Sequence, residues 1–132
     1  MYLATLREYL AHFTGRPATY IEAEGLPTSA EPGAWRTLLD ALGLVEPMQP
    51  GDDVHIDLAP VAPIDGSVDY VSAHFIGLRS ADALIRFHGR APIGLAVAIS
   101  HHHYGADVDA VSMTRAWHEW LGAVFPARRD ET

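Results

Sequence analysis

Residues 53 to 125, DVHIDLAPVAPIDGSVDYVSAHFIGLRSADALIRFHGRAPIGLAVAISHHHYGADVDAVSMTRAWHEWLGAVF, decide the fold. Val54, Ile56 and Leu58 alternate with Asp53, His55 and Asp57, the period of two that belongs to a strand with one wet face. Residues 60 to 66 read as a turn into a strand over 67 to 73. Residues 75 to 78 continue after a kink, and 83 to 88 form a further strand closed by His88-Gly89-Arg90 as a tight connection. In the last run, Ile93, Leu95, Val97, Ile99, His101 and His103 share one face, while Gly94, Ala96, Ala98, Ser100, His102 and Tyr104 share the other. The branched row is expected to pack as core, and the small row to let another element or a ligand come close. From about Asp109 the period becomes helical: Met113, Trp117, Trp120, Leu121 and Val124 form a broad stripe that ends at Phe125 and Pro126.

Upstream, Tyr2, Leu6, Tyr9, Leu10 and Phe13 recur at helical spacing, and Gly15 with Pro17 supplies a stop, so residues 1 to 14 read as an amphipathic helix. A short strand is expected over 18 to 23 and a loop over 25 to 33. A second helix then carries Trp35, Leu38, Leu39 and Leu42 on one face, with Pro32 near its start and Gly43 at its end. The expected organisation is a helix over 1–14, a compact unit over 17–126 and a polar tail over 127–132. The fold class is α+β: a curved antiparallel sheet of about five to six strands packed on a long C-terminal helix.

Composition narrows the functions. The 132 residues, 48% hydrophobic and 20% charged, suit one globular domain. A net charge of -8 with no basic cluster repels phosphate backbones and anionic headgroups, so nucleic acid and membrane are not expected partners. Lys and Asn are absent and Gln occurs once, at Gln49, a skew that points to a GC-rich genome. With no cysteine there is no disulfide, thiolate nucleophile or thiolate-bound zinc. No apolar run is long enough to span a bilayer, and Arg7 and Glu8 interrupt any signal-peptide pattern, so the expected location is the cytoplasm.

Three constellations bear on chemistry. His101 and His103 face the same way, and two imidazoles at that spacing can chelate one ion, with Asp107 four residues on as a third ligand. The pattern is similar to cupin-type sites but lacks their glycine spacing and later histidine; half-exposed, hydrogen-bonded imidazoles at a strand end are the plainer reading. Arg79, Arg86 and Arg90 could hold a ligand carboxylate, or be neutralised by Asp69 and Asp82 in structural ion pairs. Trp117 and Trp120 could line a pocket or fill a core, roles that overlap in a half-barrel closed by a helix. No serine sits in a nucleophile elbow, and the acidic pairs Glu22/Glu24 and Asp52/Asp53 lack an aromatic subsite pattern.

Three strings, MYLATLREYLAHFTGRPATYIEAEG at residues 1 to 25, VDYVSAHFIGLRSADALIRFHGRAPIGLAVAISHHHYGADVD at 68 to 109 and AWHEWLGAVF at 116 to 125, together resemble the C-terminal portion of actinobacterial SRPBCC (START-like) proteins related to the activator of heat-shock-protein ATPase. In those longer chains an N-terminal START-like domain ends in a helix much like residues 1 to 13. The resemblance implies a helix-grip module with a hydrophobic cavity between sheet and terminal helix, in a superfamily that binds lipids, polyketides and other apolar ligands. It transfers no catalytic residues, and a complete N-terminal domain is lacking, so the chain reads as a fragment, a split gene product or a stand-alone version.

The leading expectation is therefore a non-enzymatic binding or regulatory module, without a cofactor, that takes an apolar small molecule. Its expected wall residues are Tyr70, Phe75, Phe87, Val97, Trp117, Trp120 and Leu121, with Arg86 as a polar contact. One alternative is an interaction module that dimerises through the helix at 1 to 14. The other is an enzyme, metal-dependent at His101 and His103 or an arginine-assisted, cyclase-like isomerase.

Overall fold

Strand alternation determines which side chains meet. The computed structural model describes residues 2–16, 18–105 and 109–127, with the side chains of Tyr2 and Ala4 outside that description. The elements run α1 (Tyr2–His12), β1 (Thr19–Glu24), α2 (Ala34–Leu42), β2 (Asp53–Leu58), β3 (Val61–Ser72), β4 (Phe75–Ser80), β5 (Ala83–His88), β6 (Ala98–His103) and α3 (Ala110–Val124). The strands form one curved, unclosed antiparallel sheet in the order β1-β6-β5-β4-β3-β2, with α3 packed on it, the arrangement of a helix-grip fold.

On the inner face, Phe87 stands opposite Ile76 and Ile99, and Ile85 opposite Leu78 and His101. These side chains meet Trp117, Trp120 and Leu121 of α3 and Leu38 and Leu42 of α2 in the main core. The aromatic rings interlock edge to face, with Phe87 and Trp117 centroids 5.8 Å apart and Trp117 and Trp120 also 5.8 Å apart. Full burial of each such side chain is worth about 1.5–3 kcal/mol, enough to hold α3 down. Helix α2 stops where Gly43 turns left-handed at φ 72°; Leu44 N–H then donates back to Leu39 C=O at 3.0 Å, closing a Schellman turn. Asp109 caps α3 by accepting from Ser112 N–H at 3.1 Å and Ser112 Oγ–H at 2.8 Å, which pulls its carboxyl below the ordinary value.

Two strand boundaries differ from expectation. β3 is one twelve-residue strand, so residues 60 to 66 are not the turn that Pro60 and Pro63 suggested. The pairing of β3 with β4 begins only at Gly66, while residues 61 to 65 pair with β2 alone; the missing N–H of Pro63 is tolerated there. In the other direction, β6 begins at Ala98, not Ile93. Residues 91 to 93 form a 3-10 turn, Gly94 is left-handed at φ 73°, and Ile93 and Leu95 are exposed. The connection after β5 is therefore a long loop rather than a tight turn at Gly89. Alternation of apolar and small residues imitated a strand that Pro92 and Gly94 interrupt. Val97, just before β6, is paired irregularly instead: its C=O accepts from Gly25 N–H and its N–H donates to the buried Ser29 Oγ, both at 2.9 Å.

The outer face is covered by α1. Tyr9 and Phe13 turn to the sheet, where Phe13 stacks on Tyr104 at 4.3 Å above Leu84. Leu6 and Leu10, expected on the same stripe, face outward with Leu3 and are exposed. Arg16 clamps the end of this helix by donating to Ala81 C=O at 2.9 Å, to Asp82 Oδ1 at 2.7 Å and to Tyr104 C=O.

Beneath α1 lies a desolvated ion pair. Arg86 and Asp69 side chains are each 1% exposed and joined bidentately at 2.5 and 2.7 Å, while Arg86 Nε–H donates to Thr5 Oγ1 at 3.1 Å. Gly77 stands opposite Arg86 in the register, and a Cβ there would land on the guanidinium. Removing one member of such a pair strands the other in low dielectric, whereas replacing both with apolar groups is often neutral or better. Asp69→Ala is accordingly expected to cost about 3–5 kcal/mol in urea unfolding, and Asp69→Leu combined with Arg86→Met to recover most of that loss.

Candidate functional site

The inner face is not filled along its whole length. Toward the N-terminal half of α3 the helix, the starts of β3 and β5 and the end of β6 leave a cavity of about 380 Å³. That volume falls at the lower end of the range for small-molecule sites. Its floor consists of the buried Ile64, Ala83, Ile85, His101 and Trp117; its rim consists of the exposed Pro60, Pro63, Asp82 and Ser112. Val61, Ala62, Ser80, His103, Met113 and Ala116 complete the wall.

His101 is the buried polar residue of this floor, 5% exposed. Alternation on β6 turns it inward beside Ile99, and Trp117 reaches it from α3: the indole Nε1–H donates to His101 Nδ1 at 3.1 Å. Indole nitrogen is a donor only, so Nδ1 must present its lone pair, and the neutral ring then carries its hydrogen on Nε2. Nε2 is buried and has no hydrogen-bond partner among the described residues. Burial first, then the neighbouring His103 and His102, push the pKa of His101 down to about 4, so the ring is neutral near pH 7.

Of the residues expected to form a ligand wall, Trp117 lines this cavity. Phe87, Trp120 and Leu121 sit deeper in the packed core, and Val97 borders a smaller hollow of about 220 Å³ beside Trp35 and His74. Tyr70, Phe75 and Arg86 lie across the sheet on the outer face, where Phe75 packs edge-on against Tyr70 and His88. They belong to no wall shared with α3, because each is one residue out of phase with an inward neighbour. What sequence reasoning missed is the rim at Pro60 and Pro63, hidden by reading that segment as a turn. The floor pair Ala83 and Ile85 was legible as one strand face but carried no mark of a cavity.

The arginines are engaged structurally. Arg86 is held by Asp69, Arg90 donates to Ala96 C=O at 2.6 Å and pairs with Glu24 at 3.1 Å, and Arg79 lies 3.8 Å from Glu8. Asp82 pairs with Arg16 instead of Arg79.

His101 and His103 are brought together, with ring centroids 5.8 Å apart, but the tautomer set by Trp117 places a hydrogen where a metal would need the Nε2 lone pair. Among the described residues no three His, Asp or Glu side chains converge to hold an ion, and Asp107 lies outside the described residues.

The depressed pKa has a definite consequence for stability. In the unfolded chain His101 takes up a proton near pH 6.5; in the folded chain it does so only near 4. Its contribution is intact above pH 6.5 and is lost as pH falls toward 4, by about 3 kcal/mol at roughly 1.4 kcal/mol per pH unit. His88 and His102 are lowered in the same sense, by burial first, and add to the slope. Urea unfolding at stepped pH is expected to show a flatter acid limb between 6.5 and 4 for His101→Leu than for the wild type. Comparison of the chain with protein-family models, with curated proteins and with solved structures found no match in any of the three.

Proposed function

We propose that this chain is a small-ligand-binding module of the START-like type, taking an apolar molecule between the sheet and α3. The observation that carries this reading is the cavity of about 380 Å³ with a mostly apolar floor. A packed core would have closed around Ile64, Ala83 and Ile85; here they border an unfilled volume beside Met113, Ala116 and Trp117. Pockets of this kind, apolar with few polar groups, orient a ligand through those groups. The arrangement of sheet and terminal helix also supports the resemblance to SRPBCC proteins.

A second reading, dimerisation through α1, is favoured by the exposure of Leu3, Leu6 and Leu10 along one side of that helix. Tyr9 and Phe13 of the same helix need no partner chain, because they already pack on Leu84 and Tyr104. Light scattering after size exclusion separates the readings: a dimer that Leu6→Glu with Leu10→Glu dissociates supports it, and a wild-type monomer rejects it.

For the leading reading, native mass spectrometry and thermal shift against fatty acids, aromatic ketones and polyketides are expected to find a bound species. Filling the cavity with Ala116→Leu is expected to weaken that binding at least tenfold while leaving unfolding temperature unchanged or raised. Binding that survives this substitution undiminished would place the ligand elsewhere.

A further inference from the structure

We propose that a second copy of this chain covers the leucine flank of α1, with the two α1 helices parallel and side by side between the two sheets and Arg7 of each over Tyr20 and Glu22 of the other. The inference rests on the second reading above, dimerisation through α1, and deepens it by naming the surface on which the partner's helix lies; the cavity, across the sheet, takes no part. Helix α1 runs lengthwise over β5 in the opposite direction: Arg86 Nε–H donates to Thr5 Oγ1 at 3.1 Å, Phe13 packs on Leu84, and Arg16 donates to Asp82 Oδ1 at 2.7 Å. Glu8 falls on the β4 side, 3.8 Å from Arg79. At about 100° per residue, Leu6 and Leu10 then lie on the opposite flank, toward β6, and Arg7 on the face turned away from the sheet. Leu3, Leu6 and Leu10 are 72%, 37% and 58% exposed, at the three-then-four spacing of a two-helix seam.

Beside α1 the outer face of β6 and β1 is open. Ser100 and Glu22 stand level with Arg86, and His102 and Tyr20 level with Leu84; Glu22 and Tyr20 are exposed, Ser100 and His102 half-buried. Strands lie about 4.8 Å apart and packed helices about 8–10 Å, so a second helix against the leucine flank sits over β1, two strands beyond β5. The two-fold axis that places the partner's α1 there while leucine meets leucine runs along the helices, which makes them parallel and sets each beneath the other's sheet. Levels along that axis are kept. Arg7, between Thr5 and Phe13 in level, then faces the partner's β1 between its Glu22 and Tyr20. Arg7 and Glu22 are both exposed, and neither has a salt-bridge or side-chain hydrogen-bond partner among the described residues. Three leucines fall well short of the roughly 800 Å² per partner that a stable interface buries, and the strip over β6 and β1 supplies further surface.

Sedimentation equilibrium at stepped concentration measures the dimer, and the absence of cysteine makes single-cysteine cross-linking clean. Arg7→Glu and Glu22→Arg are each expected to weaken the dimer about tenfold, because each change acts twice across a two-fold axis, and the two together to recover most of the loss. Under mild oxidation Leu3→Cys and Leu10→Cys are each expected to form a covalent dimer alone, as a parallel seam requires. An antiparallel pair would cross-link only in a mixture of the two. All four positions are exposed, and circular dichroism checks that each variant is folded. Cross-linking confined to the mixture, or a dimer indifferent to both charge reversals, would overturn this arrangement and leave dimerisation through α1 standing. A wild-type monomer at every concentration overturns both and leaves the flank to a different protein chain.

Discussion

The contact on which the rest depends is the one between the Trp117 indole and β6. Trp117 is 1% exposed, packs edge-on against Phe87 and Trp120, and spends its one polar atom on His101. A large side chain with a buried N–H must find an acceptor, and His101 on the inner face supplies it. That bond ties the middle of α3 to β6. With the helix placed so, Trp117 and Trp120 close on Phe87, and an unfilled volume remains between Met113 and Ala116 of the helix and Ile64 and Ile85 of the sheet. The cavity is thus a consequence of where the helix is anchored.

The sheet is a middle layer rather than a half-shell with one dry face. Its outer side carries Arg86, Asp69 and Thr5 under α1, a buried pair whose desolvation is offset by bidentate geometry and a third hydrogen bond. Gly77 leaves the room this pair needs. Both faces combine ring packing with polar contacts: Phe13 on Tyr104 and the Arg86–Thr5 bond hold α1 outside, and the tryptophans with the His101 bond hold α3 inside. Arg86, which on sequence grounds could have faced a ligand, is thereby committed to architecture.

Much of the architecture was legible along the chain. The period-two run at Val54, Ile56 and Leu58, the apolar face of α2 with its Gly43 stop, and the tryptophan-bearing stripe of α3 each pointed to the element found, because local periodicity and capping favoured the same state. Legibility failed where a local signal was ambiguous. Pro63 looked like a strand breaker yet sits where β3 has a neighbour on one side only, and Ile93 and Leu95 looked like strand although Pro92 and Gly94 divert the backbone. In α1 the apolar residues surround the helix too widely for spacing to say that Tyr9 and Phe13 turn in while Leu6 and Leu10 turn out. For the candidate site, His101 and Trp117 were each singled out, His101 for a metal and Trp117 for a wall. Their bond to each other was not visible.

By itself the sequence determined the α+β class, the antiparallel sheet with its closing helix, and the residues available to each strand face, since these follow from side-chain alternation and helical period over a few neighbouring positions. The tertiary structure alone decided that Trp117 donates to a residue sixteen positions away, that Arg86 is cancelled by Asp69 on the opposite face, and that an unfilled volume remains beside His101. Each of these depends on the distance and orientation between elements, which packing of the whole chain sets and no local pattern encodes.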